Sequence, residues 1–258
     1  MVINVDSQSF NNNKRSMKMN PSALSKLNHE IAAIIFDFDG TLYPSSAGIE
    51  SQIKHRFRTC AQKKLNLPGQ EVKKLLHRYR TEYRSSILGL KENHGIDPLE
   101  FYEELYGGLD ISTMTPKPNL REMLNRLSNQ VPLYVFSNSN RSFVLRGLAH
   151  LGLKEYFTGL FTIEDNNFIR KPHPEVYLAT IKRLGIPAGK ILMFDDIPSS
   201  LKTAKEVGFS TVLVGNGLRE SGFVDLHTGD EYETAPWWCD YAAQDIATFI
   251  EQNLLAAK

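Results

Sequence analysis

The segment Ile31-Ala32-Ala33-Ile34-Ile35-Phe36, followed at once by Asp37-Phe38-Asp39-Gly40-Thr41, constrains this chain more than any other. A short, nearly continuous apolar run suits a strand of a parallel sheet covered on both faces. Two carboxylates then emerge at the strand's carboxyl end, and Gly40 lets the chain turn sharply behind them. That end of a central strand is where open α/β sheets place their ligands. Neighbouring carboxylates repel unless a cation or a shared proton is present. A hard ion such as Mg2+ relieves the repulsion, and it commonly binds through one or two carboxylates plus a substrate phosphate. In isolation, an acidic turn after a strand reads the same way. An EF-hand calcium loop does not: with Gly40 at its sixth position, its first would be Ile35 and its twelfth Ser46.

From about Ile49 to Leu109 the rhythm is helical. Ile53, Phe57, Cys60 and Ala61 recur at spacings of three and four, and Val72, Leu75, Leu76 and Tyr79 do the same. Leu67-Pro68-Gly69 separates these two helices, and the segment from Asn93 to Pro98 separates another pair, with Asp97 as N-cap and Pro98 as first helical residue. Residues 46–114 are too long for a crossover helix and read as a small all-helical cap inserted over the strand ends. Beyond Pro116, strands alternate with helices. Strands are expected at Val131 to Phe136, Phe157 to Ile163, Ile191 to Phe194 and Thr211 to Val214. Helices are expected at Leu120 to Leu127, Ser142 to Leu151, Pro174 to Leu184, Ser199 to Val207 and Ala243 to Leu255. Such alternation indicates a doubly wound, mostly parallel sheet, with residues 31–45 and 115–258 as the core domain. Residues 1–30 are polar with little periodicity and read as a mobile tail.

Composition narrows the partners. A net charge of +1 over 258 residues offers no basic face for nucleic acid. No apolar run approaches the roughly 20 residues of a membrane helix, so no membrane partner is expected. The first residues lack the apolar stretch of a secretory signal, and with only Cys60 and Cys239 a disulfide framework is implausible. The cytoplasm is the expected location; oligomeric state is not legible.

Three of the expected strands end in chemistry: the first in Asp37 and Asp39, the second in Ser137 and Asn138, the third in Asp195 and Asp196. Lys171 lies between the last two, in Arg170-Lys171-Pro172-His173-Pro174. Converging on one crevice, these groups match what phosphoryl transfer needs, an in-line nucleophile and charge neutralisation around the phosphate. Asp37 is the candidate nucleophile, forming an aspartyl-phosphate, and Asp39 the acid and base for the two steps. Ser137 and Asn138 are candidate phosphate donors, and Lys171 a point charge for phosphate and nucleophile. Asp37, Asp39, Asp196 and Asp195 are candidate Mg2+ ligands. His173, a loop histidine beside two prolines, has no expected catalytic role. Trp237 and Trp238 are expected to pack on the core. No Walker A loop is present, and Gly215-Asn216-Gly217 does not continue into a dinucleotide fingerprint.

The order Asp37-Phe38-Asp39-Gly40-Thr41, Phe136-Ser137-Asn138, Lys171-Pro172 and Phe194-Asp195-Asp196 resembles the four motifs of the haloacid dehalogenase (HAD) superfamily, from about Ile34 to Val214. The resemblance implies a Rossmann-like core, Mg2+ as cofactor and phosphatase activity, since dehalogenase members lack the acid at Asp39. Leu42-Tyr43-Pro44 with Gly48-Ile49, Tyr83 to Gly89-Leu90, and Leu120-Arg121-Glu122-Met123-Leu124 are similar to the pyrimidine 5'-nucleotidase branch of yeast and plants. That branch places its helical cap, of the C1 type, between the first two motifs, and implies UMP and CMP as substrates. The branch usually has asparagine where Gly40 stands and another near Ser200. A phosphatase of sugar phosphates or other small metabolites is the alternative within enzymes. A catalytically idle HAD fold acting as a binding module is the alternative outside them.

Overall fold

The protein is described from a computed structural model covering residues 31–115, 117–215, 218–219, 222–224, 231–232 and 236–255. The mobile tail expected at residues 1–30 lies outside them. Strand β1 (Ala33–Phe36) is followed by four helices, α1 (Ile49–Leu65), α2 (Gly69–Glu82), α3 (Ser86–His94) and α4 (Pro98–Gly107). Helices and strands then alternate: α5 (Pro118–Ser128), β2 (Leu133–Phe136), α6 (Arg141–Leu151), β3 (Gly159–Phe161), α7 (Pro174–Leu184), β4 (Ile191–Asp195), α8 (Pro198–Glu206) and β5 (Ser210–Val214). Strands β6 (Leu218–Arg219), β7 (Gly222–Val224) and β8 (Glu231–Tyr232) form a small antiparallel sheet, and β9 (Tyr241–Ala243) precedes α9 (Ile246–Asn253).

The main sheet is parallel throughout, in the order β3-β2-β1-β4-β5-β9. Its architecture is therefore the expected α/β, Rossmann-like one. Successive strands run outward from β1 in one direction and from β4 in the other, so the topological switch point lies between these two neighbours. Strand alternation sends Ile34 and Phe36 of β1 into one apolar cluster and Ile35 into another. The first cluster holds side chains of α5, α6 and α9, the second those of α7 and α8, which is how both faces are covered.

The first cluster also runs on through Ile49, Cys60, Val72, Ile87, Phe101 and Leu105, so the helices between β1 and α5 share the sheet's apolar interior. Within this block α1 packs on α2 and α4, and α3 on α2 and α4. Arg56 of α1 donates to the carbonyls of Leu105 (2.6 Å) and Glu104 (2.8 Å), pairing groups at the end of α4 that have no intrahelical partner. Polar ties reach the rest of the molecule, among them Arg146 of α6, which donates to the Tyr106 carbonyl at 2.9 Å. Asn140 and Ser142 each donate to Glu103 at 3.1 Å, and Arg84 donates to both oxygens of Glu175 at 2.9 and 2.7 Å.

Local chemistry sets several ends as expected. The Asp97 side chain accepts from the Glu100 N–H ahead of Pro98, and Asn66 in the left-handed region stops α1 before Pro68. The last helix begins later than the apolar spacing predicts. Tyr241–Ala243 instead pair with β5 as an edge strand, and Asp245 caps the helix from Ile246. The tryptophan pair divides: Trp238 is buried, whereas Trp237 is 63% exposed. Among the described residues no helix is long and apolar enough to cross a membrane.

Candidate active site

The register of β1 and β4 pairs Phe36 with Phe194, so the residues that follow each leave the sheet side by side. The Asp37 N–H donates to the Phe194 carbonyl at 2.8 Å, continuing the ladder by one bond, and both Asp37 and Asp195 are buried. On the other side of β1, Ser137 follows β2, its N–H held by the Phe161 carbonyl at 2.9 Å. All three expected strand ends thus meet at the switch point, and the loop before α7 brings Lys171 among them.

Lys171 is the hub. Its Nζ donates to Asp37 Oδ1 at 2.8 Å and to Asp195 Oδ2 at 2.7 Å, and it sits 5.0 Å from the centre of the Phe136 ring. Burial pulls the pKa of the ammonium down, but Asp195 and Asp37 outweigh it and hold the value above that of a free lysine. The Asn138 side chain clamps the lysine's backbone, accepting from the Lys171 N–H at 2.7 Å and donating to the Lys171 carbonyl at 3.2 Å. Of the two kinds of phosphate donor expected of Asn138, side-chain amide or backbone, the side-chain amide is turned to this loop.

The carboxylates are crowded. Burial, followed by the repulsion of Asp195 and Asp39, pushes Asp37 up to about 8 in spite of Lys171. Burial, then Asp37 and Asp195, also lift Asp196 well above the ordinary carboxylate range. Asp196 packs against the turn at Gly40, whose φ is +85°. A methyl group there would lie 2.2 Å from Asp196 Oδ2, so a larger residue would strain the backbone and make Asp196 shift.

One oxygen from each of Asp37, Asp195 and Asp196 lies within 4.8 Å of the others, and Asp196 Oδ1 is buried with no hydrogen-bond partner. Hard oxygen donors, an orphaned carboxylate oxygen and carboxyl groups that burial discourages from ionising together fit a divalent cation of the Mg2+ kind. Three of the four expected ligands, Asp37, Asp195 and Asp196, make up this cluster. Asp39 lies outside the cluster, its side chain directed to Ser137, Ser139 and Tyr43. Asp195 lies inside it, but Oδ2 accepts from Lys171 and Oδ1 from the Ile197 N–H at 2.8 Å, so both oxygens are already engaged.

Asp39 has partners that the sequence reading passed over. Ser139 donates to Oδ2 at 2.7 Å, Ser137 to the same oxygen at 3.3 Å, and Tyr43 to Oδ1 at 2.5 Å. Burial raises the pKa of Asp39, opposed by these three hydroxyls. The only available signals were the second serine in Phe136-Ser137-Asn138-Ser139 and the tyrosine four residues after Asp39. Beyond them, Asn140 caps α6 by accepting from the Phe143 N–H, and His173 precedes α7 with no bond from its side chain to that helix's first turn.

A parallel sheet whose switch point gathers three carboxylates and a buried lysine defines a class of α/β hydrolases. The chain belongs to the haloacid dehalogenase-like hydrolases, whose family model matches residues 31–208. It is 26% identical over 191 residues to Phosphate metabolism protein 8 of Saccharomyces cerevisiae, with 69% of this chain aligned but only 60% of the yeast protein's length spanned. Phosphorylated carbohydrates phosphatase of Thermotoga maritima is 25% identical over 221 residues, covering 77% of this chain and 95% of that one. In fold, the chain is similar to a HAD phosphatase from Thermococcus onnurineus, with a TM-score of 0.55, 22% identity, and 88% and 99% of the two chains covered.

Proposed function

We propose that this chain is a Mg2+-dependent phosphomonoester hydrolase working through an aspartyl-phosphate on Asp37. The observation that carries the reading is the Lys171 ammonium bound to both Asp37 and Asp195, beside the orphaned Asp196 oxygen. A phosphate monoester placed there meets a carboxylate nucleophile, a fixed positive charge and the Ser137 hydroxyl. In the first step an Asp37 oxygen bonds to phosphorus, the bond to the leaving oxygen breaks, and Asp39 protonates that oxygen to give the alcohol. In the second, Asp39 takes a proton from water as the water oxygen bonds to phosphorus. The bond to Asp37 then breaks, inorganic phosphate leaves, and both carboxyl groups are restored. Lys171 neutralises phosphate charge throughout, and Asn138 and Asp195 keep it in place. Mg2+, held by Asp37 and Asp196, supplies further neutralisation of the phosphate oxygens.

The helices of residues 46–114 act as a cap that selects the substrate, and residues 31–45 and 115–258 as the catalytic core. The finer reading, a pyrimidine 5'-nucleotidase acting on UMP and CMP, rests on the likeness of Leu42-Tyr43-Pro44 and of the cap segments to that branch. Gly40 departs from it, since that branch usually has asparagine there. A second reading, phosphorylated sugars, is favoured by the name of the Thermotoga relative. With Cys60 and Cys239 both unpaired, the cytoplasm is the compartment read for this activity.

Phosphate release from nucleoside monophosphates, sugar phosphates and phosphoserine, with and without Mg2+, tests the proposal, with Asp37→Asn as control. Mg2+-dependent release lost in the control supports it, and the preferred ester separates the two substrate readings. No release from any ester would favour an idle HAD fold that binds without turnover.

A further inference from the structure

The hydrogen bonds around Asp39 distinguish its two carboxyl oxygens. Oδ1 accepts from the Tyr43 phenol, whereas Oδ2 faces Ser139 at 2.7 Å and Ser137 at the longer 3.3 Å. Tyr43 is 1% exposed, and its ring stands edge-on to Phe38 with centroids 5.2 Å apart. The turn carrying it is closed by the Leu42 N–H on the Phe38 carbonyl at 3.1 Å, so the phenol has little freedom to leave. Burial, reinforced by the adjacent Asp39 carboxylate, raises the phenol's pKa far above its ordinary value, which keeps it a donor. Between them the phenol on one oxygen and the serines on the other fix the orientation of the Asp39 carboxyl group.

We propose that Tyr43 is a positioning residue for proton transfer: by donating to Oδ1 it holds the Asp39 carboxyl group in the orientation from which it gives a proton to the leaving group and takes one back from water. Ser139 keeps Oδ2 aimed when the more distant Ser137 turns to the substrate phosphate. This role rests on the phosphomonoesterase reading of the site. A tyrosine that merely satisfies a buried hydroxyl would affect stability and slow every substrate alike.

The test compares the parent with Tyr43→Phe and Ser139→Ala on phosphate esters ranging from dinitrophenyl through phenyl to alkyl. Both the initial burst and steady turnover are followed, and melting temperatures check the fold. In Tyr43→Phe, the dinitrophenyl burst is expected within about twofold of the parent, since that leaving group needs no proton. Turnover of phenyl and alkyl esters is expected to fall by about tenfold or more, with KM changed by less than about twofold. Ser139→Ala is expected to steepen the leaving-group dependence in the same direction, and Tyr43→Leu, which also removes the phenol, repeats the test if Tyr43→Phe does not fold. Equal loss across the panel, or parent-like turnover of alkyl esters, would overturn the role while leaving the phosphatase reading intact. A parent that turns over no phosphate ester removes both.

Discussion

At the residue scale, Asp37 and Asp196 share one electrostatic problem. A single ammonium, Lys171, faces three buried carboxylates, and burial drives Asp37 up to about 8 and Asp196 upward with it. Their unfolded values lie near the ordinary carboxylate range of about 4. Between those limits the folded state holds more protons than the unfolded one, so stability is fullest at low pH and is lost as pH rises toward about 8. The metal-free protein is therefore expected to melt at a lower temperature at about pH 8 than at about pH 5.5, and added Mg2+ to raise the melting temperature more at the higher value. Calorimetry at both values, with and without the ion, checks this, and a larger Mg2+ effect at the lower pH would contradict it. Gly40 gives a second expectation. Gly40→Ala adds a methyl 2.2 Å from Asp196 Oδ2 at a φ of +85°, so it is expected to cost about 1 kcal/mol or more of stability and to weaken Mg2+ activation markedly. Denaturant titration and the Mg2+ dependence of turnover measure the two effects separately. Asp37, Asp39 and Asp196 were legible because charged residues stood out at the ends of apolar runs, and Lys171 only from its place between two of those runs. Tyr43 and Ser139 were not, because a hydroxyl's target depends on how its turn folds.

At the scale of elements, the loop before α7 matters most. A lysine in a loop is mobile unless its backbone is held, and Asn138 at the end of β2 holds it with two hydrogen bonds. Asn138→Ala is expected to lower kcat by about tenfold or more through a displaced Lys171, while the protein stays folded. Turnover alongside a near-ultraviolet spectrum tests this, and undiminished kcat would mean that Asp37 and Asp195 alone suffice to seat the lysine. Apolar periodicity found the strands and helices of the sheet's centre, since a strand covered on both faces has no polar positions to blur it. It did not find β9, whose three residues are recruited by β5 at the sheet's edge. It also carried α9 too far back, through the turn that Asp245 ends with its cap.

For the whole molecule, a single apolar cluster joins the helices of residues 49–107 to one face of the sheet. Shared burial on that scale couples their stabilities, so heating is expected to give one cooperative transition by calorimetry and by circular dichroism. Two separated transitions would show that the helical block melts on its own. The Arg84–Glu175 pair crosses the same boundary but is exposed, with 59% and 42% of the two side chains' surface open to solvent. Arg84→Ala is therefore expected to change stability by less than about 1 kcal/mol, as denaturant titration would show. By itself the sequence determined the kinds of chemistry present and their place at strand ends, because periodicity and polarity are local properties of the chain. Only the tertiary structure decided which oxygen faces which partner. Asp195 serves Lys171, Asp39 turns away to three hydroxyls, and Asp196 keeps an oxygen without a partner. Those outcomes depend on strand register, turn geometry and burial, and residues far apart in the chain set all three together.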